Sequence, residues 1–327
     1  MTVACVDTNR HIAAYSNMDP TRTTSLRNAF ARALRKRFNE LARVIRQAVA
    51  DEDIFGLQTG LNITAFALTP PGPGVFAFPR SADKVDAFMK WLQLQTDKGI
   101  LQTIELQRSG VGVESAWTNT YIQDSYKRGV LRARYEMQRA GYSVPSIAET
   151  GGIDIALGGN PFHVDRLGLL YTRVYSELKG ITGAMEQQIS RVLAQGIGDG
   201  DNPRLLARKL VSTINGTGMG DLGIRDTLGR FIPARRRAEI LARTEIVRAH
   251  HQATIQEYKN WGVEGVRVRV EWSTADDERV CDRCSGLQGQ TFTLEEIEGM
   301  IPLHPQCRCL ALPFRDTSAE PTNILGG

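Results

Sequence analysis

A cluster of cysteines near the C-terminal end constrains the fold of this chain more than any other feature of its sequence. Four of the five cysteines and one of the five histidines lie in residues 279–309, RVCDRCSGLQGQTFTLEEIEGMIPLHPQCRC. A C-x-x-C pair followed by an H-x-x-C-x-C segment can place four donor atoms around one ion as a tetrahedron. The spacing therefore predicts a bound zinc ion with a small fold arranged around it.

Five side chains compete for the four places of such a site. Cys281 and Cys284 are the firm ligands, and His304, Cys307 and Cys309 share the two remaining places. We favour His304 and Cys307. Cys309 is the alternate ligand, because residues 307 and 309 of a strand point the same way. Four protein ligands leave no place for water, so the zinc is predicted to be structural. Free thiols or two disulfides are the alternative state of these cysteines.

The common motifs of metal-dependent and nucleophilic catalysis are absent from the sequence. Zinc nucleobase deaminases pair H-x-E with P-C-x-x-C, whereas valine precedes the C-x-x-C pair here and no histidine stands two residues before a glutamate. H-E-x-x-H, G-x-S-x-G and P-loop patterns are also missing. We therefore predict no catalytic residues and a protein that is not an enzyme.

Helical periodicity dominates the chain up to the cysteine cluster. Apolar side chains three or four positions apart predict helices over 24–50, from Ser81 to about Gly99, and through Ile122 to a stop at Gly141. The glycine-rich segment 142–162 is predicted to be a flexible connection or an exposed loop.

The same periodicity continues in the second half of the chain. Two helices are expected to meet at a bend at Gly180, and Asn202-Pro203 predicts the start of a third. A long helix is predicted over 233–260. Its inward face includes Thr244, for which we expect a polar network with Arg243 and Glu245, whereas His250 is expected to face solvent.

A strand follows the long helix, because the apolar period changes to two between residues 266 and 272. The terminal segment LALPF, residues 310–314, is expected to pair with it. The predicted fold is therefore mainly α with a small C-terminal α+β module, which consists of the long helix, a short antiparallel sheet and the Cys/His cluster.

Changes in composition predict four parts of the chain. They are an N-terminal helical region over 1–110 that contains the basic helix 24–50, a helical domain over 111–222, the C-terminal module over 223–314 and a flexible tail over 315–327. The proline-rich segment 69–80 and the glycine-rich segment 215–223 are the expected connections.

Positive charge is concentrated in two segments. Residues 22–46 hold eight arginines and lysines against the single acid Glu40, a net charge of +7, and a second patch opens the long helix. A solvated face is the simplest explanation, but so little compensating acid favours a polyanion or an acidic protein surface as a neighbour, with DNA as the first candidate. The candidate contacts are Arg32, Arg35, Lys36, Arg37, Arg235, Arg236 and Arg237.

Three ordered motifs of the C-terminal part resemble those of a known family. ARTEIVRAHHQA on the long helix, EWSTADDERVCDRCSGLQGQTF and PLHPQCRC follow one another between residues 233 and 314. They are similar to the C-terminal module of the phage Mu F-like minor head proteins, the head morphogenesis family of tailed bacteriophages. The preceding segment 180–210 resembles the region that usually precedes this module.

The resemblance implies a minor capsid protein that acts in head morphogenesis and stays in the virion head. Portal protein or major capsid protein would be its partners, and double-stranded DNA, bound without sequence preference, a further ligand. No run approaches the ~20 apolar residues of a membrane span, so we expect no membrane contact and a location in the host cytoplasm during assembly. The alternatives are a free DNA-binding protein with a structural zinc module and, less favoured, a metalloenzyme.

Overall fold

The fold was analysed in a computed structural model that describes residues 19–57, 81–101, 116–216, 230–261 and 268–314. The helices of these ranges are α1 (Thr24–Arg46), α2 (Ser81–Thr96), α3 (Trp117–Arg139), α4 (Ile153–Gly158), α5 (Pro161–Gly198), α6 (Pro203–Asn215), α7 (Ala234–Trp261), α8 (Asp282–Ser285) and α9 (Leu294–Ile297). The strands are β1 (Arg269–Ser273), β2 (Thr291–Thr293) and β3 (Leu310–Phe314). The prediction of a mainly helical fold with a small C-terminal α+β module is confirmed.

The sheet has three antiparallel strands in the order β2-β1-β3. Its central strand aligns Val270 with Phe292 on one side and Trp272 with Ala311 on the other. Val270 and Trp272 are fully buried, as expected from the two-residue period, because side chains of equal parity share one face of a strand. The predicted pairing of LALPF with the strand after the long helix is confirmed.

The predicted apolar stripes of α1 and α3 are the buried faces of these helices. Phe30, Leu34 and Phe38 of α1 are fully buried, as are Ile122 and Tyr126 of α3. Helix α1 continues as a π-helical turn over Gln47–Asp51, and α2 does the same over Asp97–Leu101. The helix predicted to end near Gly99 therefore extends slightly further.

Helix α5 is one continuous helix of 38 residues, so the predicted bend at Gly180 is wrong. A single glycine costs a helix about 1 kcal/mol relative to alanine, which neighbouring contacts easily exceed. Val174 and Leu178 before the glycine and Met185 and Ile189 after it are all buried. One uninterrupted apolar stripe thus outweighs the local breaker.

The segment 142–162 contains more regular structure than the predicted loop. Helix α4 occupies its middle, and α5 already begins at Pro161. Gly151 and Gly152 adopt positive φ, which accounts for the glycines before α4. Asn160 accepts a hydrogen bond from the Phe162 N–H through Oδ1 (2.9 Å) and so caps α5.

Helix α6 has the ends that the sequence predicts. The Asn202 side chain accepts a hydrogen bond from the Leu205 N–H, Pro203 is the first helical residue, and Gly216 ends the helix in the left-handed conformation. Of the segments predicted as connections or tail, residues 69–80, 217–223 and 315–327 lie outside the described residues.

The chain divides into two compact units, each formed by separate stretches of sequence. One unit comprises Met1–Asn28, Asn119–Thr172 and Arg243–Gly327, and the other comprises Ala29–Thr118 and Arg173–Ala242. The core of the first unit combines Trp272, Tyr258 and Ile297 with three of the cysteines. In the second unit, Phe88 packs against Phe55 and Trp91, with ring centroids 5.4 and 5.2 Å away. The four-part division predicted from composition stays a prediction.

Helix α7 is buried on nearly all sides, and this overturns one prediction. His250, which was expected to face solvent, is 1% exposed, and its carbonyl lies against Gly129 of α3. Burial lowers the pKa of His250 to about 3 and the pKa of the adjacent His251 to about 4, so both are neutral at pH 7. Apolar periodicity alone could not show that a second helix covers this face. None of the described helices has the length and hydropathy that a membrane crossing requires.

Two glycines are predicted to respond oppositely to substitution by alanine. A Cβ at Gly129 would lie 2.4 Å from the His250 carbonyl oxygen, so Gly129→Ala should destabilise the protein by about 1–3 kcal/mol through overpacking. A Cβ at Gly180 meets nothing within 4 Å, so Gly180→Ala should stabilise it by about 0.5–1 kcal/mol. Urea unfolding of both variants tests this, and a Gly129→Ala variant as stable as the unmodified protein would contradict the close approach of α3 and α7.

Candidate metal centre

The first half of the centre is a tight turn that leads into a short helix. Cys281 is the N-cap residue of α8, and its carbonyl oxygen accepts a hydrogen bond from the Ser285 N–H (2.9 Å). This single turn brings Cys284 back beside Cys281. The C-x-x-C spacing thereby places two sulfur atoms on one side of the turn, with Cys284 buried and Cys281 half-buried.

The second half is the loop that carries His304, Cys307 and Cys309. The Cys307 N–H donates to the His304 carbonyl oxygen (3.1 Å), and Gln306 adopts a positive φ of 65° within this turn. Helix α7 holds the turn from outside. Thr244 Oγ1 accepts from the Gln306 N–H (3.1 Å), and Arg243 donates to Gln306 Oε1 (3.1 Å).

Short distances connect the donor atoms of the four favoured ligands. His304 Nε2 lies 3.1 Å from Cys284 Sγ and 3.3 Å from Cys281 Sγ, and Cys284 Sγ lies 3.9 Å from Cys307 Sγ. With the usual zinc bond lengths, the edges of a tetrahedron are about 3.8 Å between two sulfurs and about 3.5 Å between sulfur and nitrogen. Cys281, Cys284 and His304 are thus close enough to hold one ion together, and Cys307 is linked to them through Cys284.

Cys309 also belongs to the cluster. The donor atoms of Cys281, Cys284 and His304 form one group and those of Cys284, Cys307 and Cys309 a second, with all atoms of a group within 4.8 Å of one another. Cys284 is common to both groups, so its sulfur is the centre of the arrangement. The competition of His304, Cys307 and Cys309 for two places, which the spacing left open, is still open in this geometry.

The orientation of His304 suits metal binding through Nε2. Its Nδ1 lies 2.9 Å from the Pro305 carbonyl oxygen, and this acceptor requires a proton on Nδ1. Nε2 is then left without a proton and faces the sulfur atoms. A hydrogen bond from the far nitrogen to a backbone carbonyl is the usual way in which proteins orient a metal-binding histidine.

Burial and mutual hydrogen bonding control the protonation of the thiols. Burial raises the pKa of Cys284 to about 12, whereas the hydrogen bond from Cys309 lowers the pKa of Cys307 to about 5. The same hydrogen bond, together with burial, raises the pKa of Cys309. The hydrogen bond from Cys309 thus favours the thiolate form of Cys307. Metal binding must displace protons from the other thiols, so affinity falls as the pH falls.

The acidic turn before the cluster serves a structural purpose. Asp277 accepts hydrogen bonds from Arg279 and Arg308, and the Arg308 guanidinium holds the pKa of this carboxyl group well below its usual range. Its oxygens are therefore occupied by arginine rather than available to an ion. Because Arg308 stands between Cys307 and Cys309, this ion pair also connects the two halves of the centre.

Comparison with known proteins bears on the C-terminal half of the chain. Residues 187–312 match the family described as Phage Mu protein F like protein. Over these residues the chain is similar to phage Mu F-like proteins. The match confirms the resemblance predicted from three motifs and supports a role in phage head morphogenesis. It covers fewer than half of the residues, begins within α5 and ends in β3. Neither the curated proteins nor the solved structures contain a match.

The three residues of the polar network predicted on α7 form hydrogen bonds with other partners, and the network itself stays a prediction. Arg243 and Thr244 both bind Gln306 of the ligand-bearing loop. Glu245 is 1% exposed and accepts from Arg248 (3.1 Å), its neighbour one turn further along the helix. Thr244 thus bonds directly to the turn that presents the ligands.

The two predicted basic segments meet within the second unit. Arg35 of α1 donates from Nε to Glu239 of α7 (2.8 Å), and Arg235 and Arg236 lie 3.9 and 3.6 Å from the same carboxylate. Arg235 also donates to Asn39 of α1 (3.0 Å). Burial alone would raise the pKa of Glu239, but the hydrogen bond from Arg35 and the charges of the three arginines together lower it. Three guanidinium groups thus surround one carboxylate.

The other candidate contacts differ in accessibility. Arg32 and Lys36 are exposed on α1 and form no ion pair with any residue that the structure describes. The Arg37 guanidinium lies 3.7 Å from the ring centroid of Trp117, and Arg237 is half-buried. Together with Arg35, Arg235 and Arg236, the exposed Arg32 and Lys36 define what we call the composite basic surface.

A buried polar network escaped the sequence analysis. The Glu257 carboxylate accepts hydrogen bonds from Arg134 Nε (2.5 Å) and Trp261 Nε1 (2.7 Å), and His163 Nε2 lies 2.9 Å from its second oxygen. Tyr126 Oη lies 2.9 Å from His163 Nδ1. These residues come from α3, α5 and α7, and no local spacing links them. Only the presence of charged residues on otherwise apolar helical faces was visible in the sequence.

The zinc hypothesis predicts a defined metal content. Protein purified under reducing conditions should contain one zinc ion per chain, because four deprotonated donors bind zinc strongly at neutral pH. Cys284→Ser should lose the ion, since Cys284 is common to both donor groups. Cys5→Ser, a matched change at a cysteine outside the cluster, should retain it. Metal analysis of the three proteins tests this, and zinc well below one equivalent in the unmodified chain would reject the site.

Proposed function

We propose that this protein is a minor capsid protein of a bacteriophage, which acts in head morphogenesis and remains in the virion head. The observation that carries the proposal is the phage Mu F-like match over residues 187–312. That match includes the long helix α7, the sheet and the complete Cys/His cluster. Portal protein, with which a minor head protein would be assembled, is the proposed principal partner, and major capsid protein is the second.

The centre is proposed to hold a structural zinc ion in a protein that is not an enzyme. Cys281, Cys284 and His304 supply three donors, and Cys307 or Cys309 supplies the fourth. Four protein ligands close the coordination sphere, whereas a catalytic zinc keeps one place for water or substrate. The proposed contribution of the ion is to fasten the turn at α8 to the loop before β3.

DNA contact is the second part of the proposal, and the composite basic surface supports it. Arg32 and Lys36 are exposed, and Arg35, Arg235 and Arg236 share only the charge of Glu239. The surface therefore has four positive charges in excess among these six residues. This excess of positive charge favours contacts with DNA phosphates, and the affinity of such contacts depends on salt concentration but not on base sequence.

The geometry disfavours a free, sequence-specific DNA-binding protein. A recognition helix would have to present basic or amide side chains to the major groove. Helix α9, between the two halves of the centre, has only four residues, and its first turn carries Glu295 and Glu296. Glu298 is already paired with Arg166 and Lys259. An acidic element of this length does not suit base recognition.

Association with portal is tested by affinity purification from cells that produce the phage. The tagged full-length protein should retain portal protein after gentle lysis and should be present in purified virions. Matched cells that express the tag alone are the control. Absence of the protein from virions, together with no retained portal, would reject the proposed role.

Charge reversal tests the DNA contact on the composite basic surface. Arg32→Glu combined with Lys36→Glu should weaken retention of double-stranded DNA at low salt. The slope of log affinity against log salt should become shallower by about 0.9 for each phosphate that the variant no longer neutralises. Both side chains are exposed, so the fold should persist. Lys90→Glu on α2, another exposed cation, is the control. Unchanged retention in the double variant would count against this surface.

A further inference from the structure

The Cys/His cluster contains one more donor than a tetrahedral zinc ion uses. Four protein ligands fill such a site, whereas five side chains of the cluster each present a ligand atom: Cys281, Cys284, His304, Cys307 and Cys309. One donor is therefore left over. A buried free cysteine can serve as a small apolar residue, but the grouping of the five donors indicates a further use.

The donor atoms are divided into two groups of three that share one sulfur. We call Cys281, Cys284 and His304 the outer group, and Cys284, Cys307 and Cys309 the inner group. Within each group all donor atoms lie within 4.8 Å of one another, whereas the five together do not form one such set. A single four-coordinate ion must take ligands from both groups. Two three-coordinate ions could instead use one group each, with the Cys284 sulfur between them.

The distance within the inner group is that of a planar three-coordinate ion. With metal–sulfur bonds of about 2.3 Å, two sulfurs around such an ion are about 4.0 Å apart. Cys284 Sγ lies 3.9 Å from Cys307 Sγ. The inner group therefore needs little rearrangement to accept an ion.

The outer group has shorter distances and more freedom to adjust. His304 Nε2 lies 3.1 Å from Cys284 Sγ and 3.3 Å from Cys281 Sγ. With a metal–nitrogen bond of about 2.0 Å, a planar ion would separate nitrogen and sulfur by about 3.7 Å. Cys281 and His304 are only partly buried, so their side chains can move apart by the required fraction of an ångström.

The donor types and their surroundings select a soft ion. Thiolates favour copper(I) and zinc, whereas copper(II) favours nitrogen and oxygen ligands in a square-planar arrangement. Structural zinc is almost always four-coordinate, while copper(I), a filled-shell ion, readily accepts three ligands. The inner cysteines belong to the same core cluster as Trp272 and Ile297. Such apolar surroundings exclude water, which would supply the oxygen ligands that copper(II) prefers.

The exchange of one zinc ion for two copper(I) ions keeps the metal charge at the same value. Both states carry +2 on the metal, and no electron is transferred, because zinc and copper keep their oxidation states. If Cys309 is the thiol that zinc leaves unused, it loses its proton, so two copper(I) ions replace one zinc ion and one proton. The new thiolate lies near the Arg308 guanidinium, which interacts electrostatically with Cys309.

We propose that the cluster is also a copper(I) site, in which one ion binds in the outer group, a second binds in the inner group, and the Cys284 sulfur bridges them. The inference rests on the metal centre of the proposed function but not on its role in the phage head. It gives a purpose to the fifth donor. Either metal would fasten the turn at α8 to the loop before β3, because both groups of donors are then held.

Anaerobic titration of the reduced, full-length protein with copper(I), supplied as its acetonitrile complex, tests the assignment. In the presence of a competing copper(I) chelator, which removes weakly bound ions, native mass spectrometry should show two copper ions per chain. A colorimetric zinc indicator should report one zinc ion released for each pair. X-ray absorption at the copper edge should show sulfur neighbours and a copper neighbour, since a shared sulfur holds the two ions close together.

Serine variants separate the two groups. Cys309→Ser removes a donor of the inner group alone and Cys281→Ser a donor of the outer group alone, so each should lower the copper content from two ions to one. Both should also lose the copper neighbour in the absorption spectrum. Cys5→Ser, a matched change outside the cluster, should bind two ions. Circular dichroism of each protein with copper bound establishes that it is folded.

The outcomes separate this inference from the zinc hypothesis. One copper ion per chain in the unmodified protein, or two without a copper neighbour, would overturn the bridged site. Two copper ions retained by Cys309→Ser would overturn the role of the inner group. A protein that contains one zinc ion but binds no copper(I) would reject this inference and leave the zinc centre standing. A protein that contains no zinc but binds two bridged copper ions would do the reverse.

Discussion

The convergence of buried sulfur atoms in the first unit is the constraint on which the C-terminal module depends. Cys284, Cys307 and Cys309 belong to the same core cluster as Trp272 and Ile297, so the donors are part of the packing. The module has only three short strands and two single-turn helices after α7. Elements of this length bury too little apolar surface to be stable alone, and a metal centre is the usual supplement in small folds. An ion bound at the cluster would supply the stability that a module of this size lacks.

Helix α7 connects the Cys/His cluster with the rest of the first unit. Thr244 and Arg243 hold the ligand-bearing loop, and further along the helix the Tyr258 hydroxyl donates to the Ala311 carbonyl of β3 (3.2 Å). In its last turns Glu257 belongs to the buried polar network. Because its faces are buried almost all round, the polar groups on this helix depend on partners within the protein. The metal centre, the sheet and the buried polar network thus share one rigid support.

Local signals predicted most of the fold, and long-range contacts account for what they missed. Asn202, Pro203 and Gly216 define α6 because capping is decided by neighbouring residues. Gly180 misled the prediction for α5, since the packing that holds the helix straight is tertiary. The candidate metal ligands were visible because their spacing is local. The pairing of Arg35 with Glu239 spans 204 positions, and the buried polar network joins three helices, so neither could be derived from one sequence.

X-ray absorption at the zinc edge of the purified, reduced protein is the sharpest test of a metal-closed C-terminal module. We expect one ordered zinc ion with three sulfur neighbours at about 2.3 Å and one nitrogen neighbour at about 2.0 Å. Four sulfur neighbours would indicate that Cys309 displaces His304 but would leave the module closed by metal. A spectrum dominated by oxygen and nitrogen, or no bound zinc, would contradict a module held together in this way.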